Sequence, residues 1–258
     1  MRAPADDAST VSEQDVVQYV LRRLCRPKNP GPGAYYYGIS RPNDVVPDHV
    51  DFWARLREST QDLGVVTFNY DILAEHGLQD YVNGKWSPAF YYGGFMYNQH
   101  VQKMVNVTGN VRKSVSVPLG HEVPIYKLHG SINWAWESHS DTLKIHDDVR
   151  AAFRREGSGR PAIVPPIEEK ELTPEFAAIW TEAAKRLARS ERWIICGYSA
   201  PEYDVASRAL LSRAAAEGPA KQIELIDPNS SVVRAAWTFP NVRAIRTHDS
   251  IREALAIL

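Results

Sequence analysis

From Gly64 onward, short apolar runs alternate with amphipathic helical patterns, and this alternation restricts the fold more than any other feature of the chain. "GVVTFN", "PIYKLHG", "AIVPP", "RWIICGYS", "QIELIDPN" and "VRAIRT" read as six strands. Between them, "LTPEFAAIWTEAAKRLARS" places Thr173 at a cap and Pro174 at the first helical position. Phe176, Ile179, Trp180, Ala183 and Leu187 then recur at helical spacing. Asp204 to Glu217 form another helix, stopped by Gly218, and "SSVVRAAW" and "DSIREALAIL" two shorter ones. Strands this apolar, joined by crossover helices, predict an α/β fold: a Rossmann-like parallel sheet with helices on both faces.

The chain divides on the same criterion. Residues 1–62 form a helical N-terminal segment, with "VSEQDVVQYVLRRLCR" and Pro47 to about Glu58 as its helices. Residues 63–258 form the Rossmann-type domain. Within it, residues 84–122 break the alternation and read as an aromatic- and glycine-rich insertion. Its Trp86, Phe90, Tyr91, Tyr92, Phe95 and Tyr97 fit a stacking wall or a local core that holds a loop down. A net charge of −1 and the lack of any basic run argue against nucleic acid and membrane surfaces. The two cysteines, Cys25 and Cys196, form no CxxC pair, which argues against a disulfide scaffold or a four-cysteine zinc site. Cys196 reads as a small core residue of its strand. No apolar leader and no stretch near the ~20 residues of a membrane span is present, so a cytoplasmic location is expected.

Ligands of open α/β sheets bind outside the carboxyl ends of the strands. Four ends here carry polar groups: Thr67, Asn69 and Asp71; His129 to Ser131; Gly197, Tyr198 and Ser199; Asp227 and Asn229. Each also has a structural explanation. Asp71 can cap the helix starting near Ile72, His129 can sit in a turn, Ser199 can cap, and Asp227 with Pro228 is a common turn pair. Their equivalent positions along one sheet edge favour a shared site.

The ordered set resembles the SIR2-like (sirtuin-related) family over about Leu63 to Leu258. "TFNYD" is similar to that family's Thr-x-Asn-x-Asp element, in the form typical of its divergent bacterial branch. "KLHGSINW" resembles the element that carries the catalytic histidine. "IICGYSAPEYD" and "LIDPN" resemble the strand ends that contact the dinucleotide. "THDSIREALAIL" resembles the closing segment, with Asp249 before the last helix. The resemblance implies catalytic roles for Asn69, Asp71 and His129. It implies NAD contacts from Thr67, Gly197, Tyr198, Ser199, Asp227, Asn229 and Asp249. A histidine, with an unperturbed pKa near ~6.5, can take a proton at neutral pH, and fixed polar groups can stabilise the oxocarbenium-like charge that forms at C1′ when NAD is cleaved.

Three departures shape what the resemblance implies. Residues 1–63 contain no strand followed by a glycine-rich phosphate-binding turn; "GPGAYYYG" is the only glycine cluster, and Pro32 in it has no amide hydrogen. Either the sequence begins downstream of the family's first strand or the phosphate cradle has been lost, and retention of the other polar strand ends favours the former. Either way, the centre of the sheet is expected to be unfilled. The paired CxxC zinc module of the protein deacylases is missing, so no zinc is expected. Pro165 and Pro166 stand where such enzymes pair with an acylated peptide and remove two backbone donors. Protein deacetylation is therefore disfavoured. The resemblance implies hydrolysis of NAD to nicotinamide and ADP-ribose, associated with anti-phage defence, in a homo-oligomer or beside a fused or associated effector. The alternatives are a non-catalytic module that senses NAD or ADP-ribose or mediates assembly, and a Rossmann-like domain whose polar strand ends serve turns alone.

Overall fold

The computed structural model describes residues 47–60, 62–82, 85–88, 90–94, 122–137, 143–145, 160–165 and 172–256. Helix α1 (Pro47–Ser59) leads into strand β1 (Val65–Thr67), the one-turn helix α2 (Leu73–Gly77), and β2 (Gln79–Val82), β3 (Lys85–Pro88) and β4 (Phe90–Tyr92). β5 (Val123–Lys127), β6 (Gly130–Trp136), β7 (Leu143–Ile145) and β8 (Arg160–Ile163) follow. The chain then alternates through α3 (Pro174–Arg189), β9 (Arg192–Cys196), α4 (Val205–Ala216) and β10 (Lys221–Ile226). It closes with α5 (Ser230–Val233), a 3-10 turn at Arg234–Trp237, β11 (Val242–His248) and α6 (Ile251–Leu255).

The fold is α/β with parallel strands. They form two three-stranded groups, ordered β1-β5-β4 and β11-β10-β9, and every pairing within each group is parallel. Val65 pairs with Ile125 in the first group, and Ile223 with Trp193 in the second. Apolar runs that are too short to form helices and are flanked by long amphipathic ones explain this arrangement. Helix α3 buries the stripe Phe176, Ile179, Trp180 and Ala183, the spacing expected from sequence. That stripe joins Tyr126, Leu128, Trp193, Leu211 and Leu225 in the main core.

Three expectations need correction. "AIVPP" contributes β8, which pairs antiparallel with β6 in a separate sheet of order β7-β6-β8. "HGSINW" continues as a buried seven-residue strand instead of ending one. Gly130, at φ 78°, turns the chain between β5 and β6, and a Cβ there would lie 2.0 Å from the Ala162 carbonyl oxygen. Cys196 is exposed, not a core residue, because it lies on an edge strand.

The helix expected over residues 11–26, "GPGAYYYG", Phe95, Tyr97, "NVTGNVRKSVSVPLG" and Pro166 lie outside the described residues, as does the Trp86 side chain. Of the remaining insertion aromatics, Phe90 is buried with Leu78, Val123 and Ile125, and Tyr92 packs beside them. These two belong to a local core; Tyr91 is exposed. Among the described residues no helix is long and apolar enough to cross a membrane.

Candidate functional site

The ends of β1 and β9 face each other across one cleft. Its lining includes Thr67, Asn69 and Tyr198, together with Val66, Phe68 and Cys196. At the β1 end, the Thr67 hydroxyl accepts the Asn69 amide hydrogen at 3.1 Å, which fixes the backbone turn and leaves the Asn69 side chain exposed. At the β9 end, Gly197 adopts φ 64°, and a Cβ there would meet nothing within 4 Å, so conformation alone calls for glycine. The next residue, Tyr198, lays its ring on Phe68 with centroids 3.9 Å apart and planes 10° from parallel. That stack joins the two strand ends.

His129 lies beneath this stack. Its ring is enclosed by Phe68, Tyr70 and Trp180, with centroids at 5.8, 6.0 and 6.3 Å, and the residue is 2% exposed. Nε2 lies 3.4 Å from the Ser207 hydroxyl and 3.5 Å from Asp204 Oδ2. The Tyr198 hydroxyl donates to that same Asp204 oxygen at 3.1 Å. Burial, and then the Asp204 carboxylate, push the Tyr198 phenol well above its ordinary pKa, so it remains a neutral donor. His129, Asp204, Ser207 and Tyr198 thus form one buried polar network, whose Tyr198 member reaches the cleft.

Asp204 and Ser207 were missed by sequence reasoning as members of the site. Asp204 precedes a helical pattern and reads as a cap. It occupies the N-cap position of α4, but its side chain makes no cap bond there and turns instead to His129 and Tyr198. An aspartate at a cap carries no sequence signal that separates these two uses.

The other expected residues are placed differently. Asp71 Oδ1 accepts the Leu73 amide hydrogen at 3.0 Å, the capping role its position suggested, while its carbonyl accepts from Lys127 Nζ. Ser199 is exposed beside Ala200, whose φ is 49°; Arg208 Nη1 donates to the Ala200 carbonyl at 2.7 Å and fixes this turn. At the end of β10, Asp227 Oδ1 accepts the Asn229 amide hydrogen at 2.8 Å in an Asx turn. The Ser230 hydroxyl donates to Asp249 Oδ1 at 2.8 Å, and the Asp249 amide donates to Glu253 Oε2 at 2.8 Å. Asp227, Asn229 and Asp249 therefore form their own group at the ends of β10 and β11 and do not line the cleft. Cys196, which does, is exposed as a residue, yet its thiol is pushed up to about 11, by the protein packed around the sulfur first and the Asp227 charge second.

No family model matches the chain, and no curated protein matches it. Solved structures do. One is a Sir2 in complex with the inhibitor EX-527, 2′-O-acetyl-ADP-ribose and a deacetylated p53 peptide: 14% identity, TM-score 0.43, covering 81% of this chain and 69% of that one. A Sir2–p53 peptide–NAD+ structure matches at 12% identity and TM-score 0.43 over 81% of this chain and 67% of that one. A Sir2 homolog–NAD complex matches at 15% identity and TM-score 0.40 over 81% and 65%. A likeness of this degree gives no residue of this chain a role.

Proposed function

We propose that the chain binds NAD at the carboxyl ends of β1, β5 and β9 and hydrolyses it to nicotinamide and ADP-ribose. The observation that carries this reading is the placement of buried His129, held against Asp204 and Ser207, beneath the Phe68–Tyr198 stack that joins the two strand ends. In this reading the exposed Asn69 side chain bonds the nicotinamide ribose or positions a water near C1′. The water oxygen forms a bond to C1′ as the C1′–N bond breaks. Nicotinamide leaves with the bonding pair as a neutral molecule, and the water proton passes to His129 or to solvent. The Asp204 carboxylate stabilises the protonated imidazole. Asp71 holds the β1–α2 turn that presents Asn69, and Gly197, Ser199, Asp227, Asn229 and Asp249 contact the remainder of the dinucleotide. Depletion of NAD in the cytoplasm during anti-phage defence is the setting that the sequence resemblance implies.

The enclosure of the His129 ring by three aromatic rings favours a second reading, a module that binds NAD or ADP-ribose without turnover. Nicotinamide release by the purified chain, measured beside His129→Ala and Asn69→Ala, separates the two. Hydrolysis predicts release that falls by about 100-fold or more in each variant. Calorimetric binding of NAD with no release from the unsubstituted chain selects the second reading; neither binding nor release rejects both.

A further inference from the structure

We propose that Tyr198 is a self-blocking side chain. Its ring on Phe68 and its hydroxyl on Asp204 shut His129 off from the cleft, and the site works only when Tyr198 swings out about Gly197. The proposal rests on the hydrolysis reading above and adds a control to it.

A general base must come within about 3 Å of the proton it takes, directly or through one water. His129 is 2% exposed, and Asp204 and Ser207, beside its Nε2, are 1% and 0% exposed. Chemistry at this imidazole therefore requires one of its covers to move.

Three rings lie around the imidazole, and each is anchored. Trp180 sits on α3 in the main core, and its Nε1 donates to the Leu128 carbonyl at 2.8 Å. The Tyr70 hydroxyl donates to the Val164 carbonyl at 3.3 Å, and the Tyr70 carbonyl accepts the Ile132 amide hydrogen at 3.0 Å. Phe68 follows Thr67, whose carbonyl accepts the Leu128 amide hydrogen at 3.1 Å and whose hydroxyl accepts that of Asn69. Tyr198 is the fourth cover. Its hydroxyl closes the side on which Nε2 meets Asp204 and Ser207, donating to Asp204 Oδ2 at 3.1 Å.

The backbone at Tyr198 is built differently. It lies in the irregular segment between β9 and α4, directly after the Gly197 amide that donates to the Ile226 carbonyl at 3.0 Å. Gly197, at φ 64°, is a residue type that passes between positive and negative φ without steric cost, and a Cβ there would meet nothing within 4 Å. A hinge with open space thus stands next to the blocking side chain. The far end of the segment is tied down. Arg208 donates to the Ala200 carbonyl at 2.7 Å, and the Asp204 amide donates to the Pro201 carbonyl at 3.1 Å. Tyr198 can therefore leave without taking Asp204 from His129. A ligand with a flat ring, as nicotinamide is, competes with Tyr198 for the Phe68 face and draws the equilibrium toward the open arrangement.

Carbethoxylation by diethyl pyrocarbonate, followed at His129 and His248 by peptide mass spectrometry, reads access without any need for turnover. His248 is the reference, because it is 8% exposed and its Nε2 lies 3.0 Å from Glu224 Oε2, away from Tyr198 on β11. Rates are compared on the plateau above the imidazole titration, so that a change in protonation does not count as a change in access. We expect His129 in Tyr198→Ala to react about 10-fold or more faster than in the unsubstituted chain. Tyr198→Phe, which keeps the ring and loses the hydroxyl bond, should give an intermediate factor, with His248 unchanged in both. Nicotinamide release by Tyr198→Ala should rise in kcat/KM by about the same factor, since a site open for only part of the time binds more weakly by that fraction.

His129 that reacts in the unsubstituted chain as fast as N-acetylhistidine would overturn the proposal, as would a rate no faster in either variant. So would release that falls in Tyr198→Ala while His248 stays protected, which would put Tyr198 in the catalytic machinery. If both histidines accelerate in Tyr198→Ala, the fold has loosened and Tyr198→Phe decides: a His129 rate equal to that of the unsubstituted chain rejects the block. Release from the unsubstituted chain with no change at His129 rejects this proposal alone. An uncovered His129 with no release from any form rejects the hydrolysis reading, and the control falls with it.

Discussion

Tyr198 does two jobs through two parts of one side chain: its ring closes on Phe68 and its hydroxyl bonds the buried Asp204. Tyr198→Phe keeps the stack but removes the donor, and leaving a buried carboxylate short of a partner costs about 1–3 kcal/mol. Urea unfolding should show that loss, while Tyr203→Phe, at an exposed position, should leave the midpoint unchanged. Cys196 gives a second test at this scale. With its thiol held up to about 11, far less of it is ionised at neutral pH than of an ordinary cysteine near ~8.5. Iodoacetamide should therefore modify it tens of times more slowly than a model thiol at pH 7.5, with a rate that keeps rising past pH 10. A rate that levels off near pH 9 would refute the assignment. Sequence reasoning singled out Thr67, Asn69, Tyr198 and His129 because the ends of apolar runs are legible, and the structure places them at or just beyond the ends of β1, β9 and β5. It placed Cys196 in the core because an edge position is set by which strands pair, and no local pattern encodes that.

The element boundaries show a similar division. Helix α3 lies where its Thr-Pro start and apolar stripe place it, and β1, β9, β10 and β11 occupy the expected runs. These strands pair in parallel as expected, but the direction of the third apolar run was not legible. "AIVPP" is as apolar as its parallel neighbours, yet it pairs antiparallel with β6, because Gly130 turns the chain and sends β6 into a different sheet. Lys127 was not singled out either, although it ties two elements together: its ammonium, fully buried on β5, donates to Glu75 of α2 at 2.8 Å and to the Asp71 carbonyl. Removing one member of such a pair strands a buried charge, at about 3–5 kcal/mol, whereas an apolar replacement of both is often close to neutral. Lys127→Met alone should thus be strongly destabilising. Adding Glu75→Leu should recover most of the loss in chemical denaturation, and a double variant no better than the single one would show that the pair is not what joins β5 to α2.

At the scale of the whole molecule, the two parallel groups share the main core that α3 packs on, and α1 joins them through a second, smaller cluster. Phe52, 3% exposed, packs with Leu56 against Ile226 and Ile194 on one side and near Leu63 on the other. The sequence led to the expectation of a sheet with an unfilled centre; in the structure a cleft lies between β1 and β9, the edge strands of two separate groups. What the sequence left hidden is that a helix read as part of a separate N-terminal segment reaches across it. Truncating a buried phenylalanine to alanine costs about 3–5 kcal/mol wherever it occurs. At this position the loss also weakens the coupling between two groups of strands. Phe52→Ala should therefore do more than shift the midpoint of urea unfolding: the transition should broaden, with near-ultraviolet signals from Trp193 and Trp237 in the β9–β11 half separating from amide-exchange signals in β1 and β5. Ala254→Gly, made on α6 in the same cluster but away from the β1 side, is the comparison, because it removes buried apolar surface without touching the bridge. If both variants lose stability with one sharp, coincident transition, α1 merely packs on the molecule. A split confined to Phe52→Ala would make α1 the element that holds the two halves, and with them Asn69 and Tyr198, in register across the cleft.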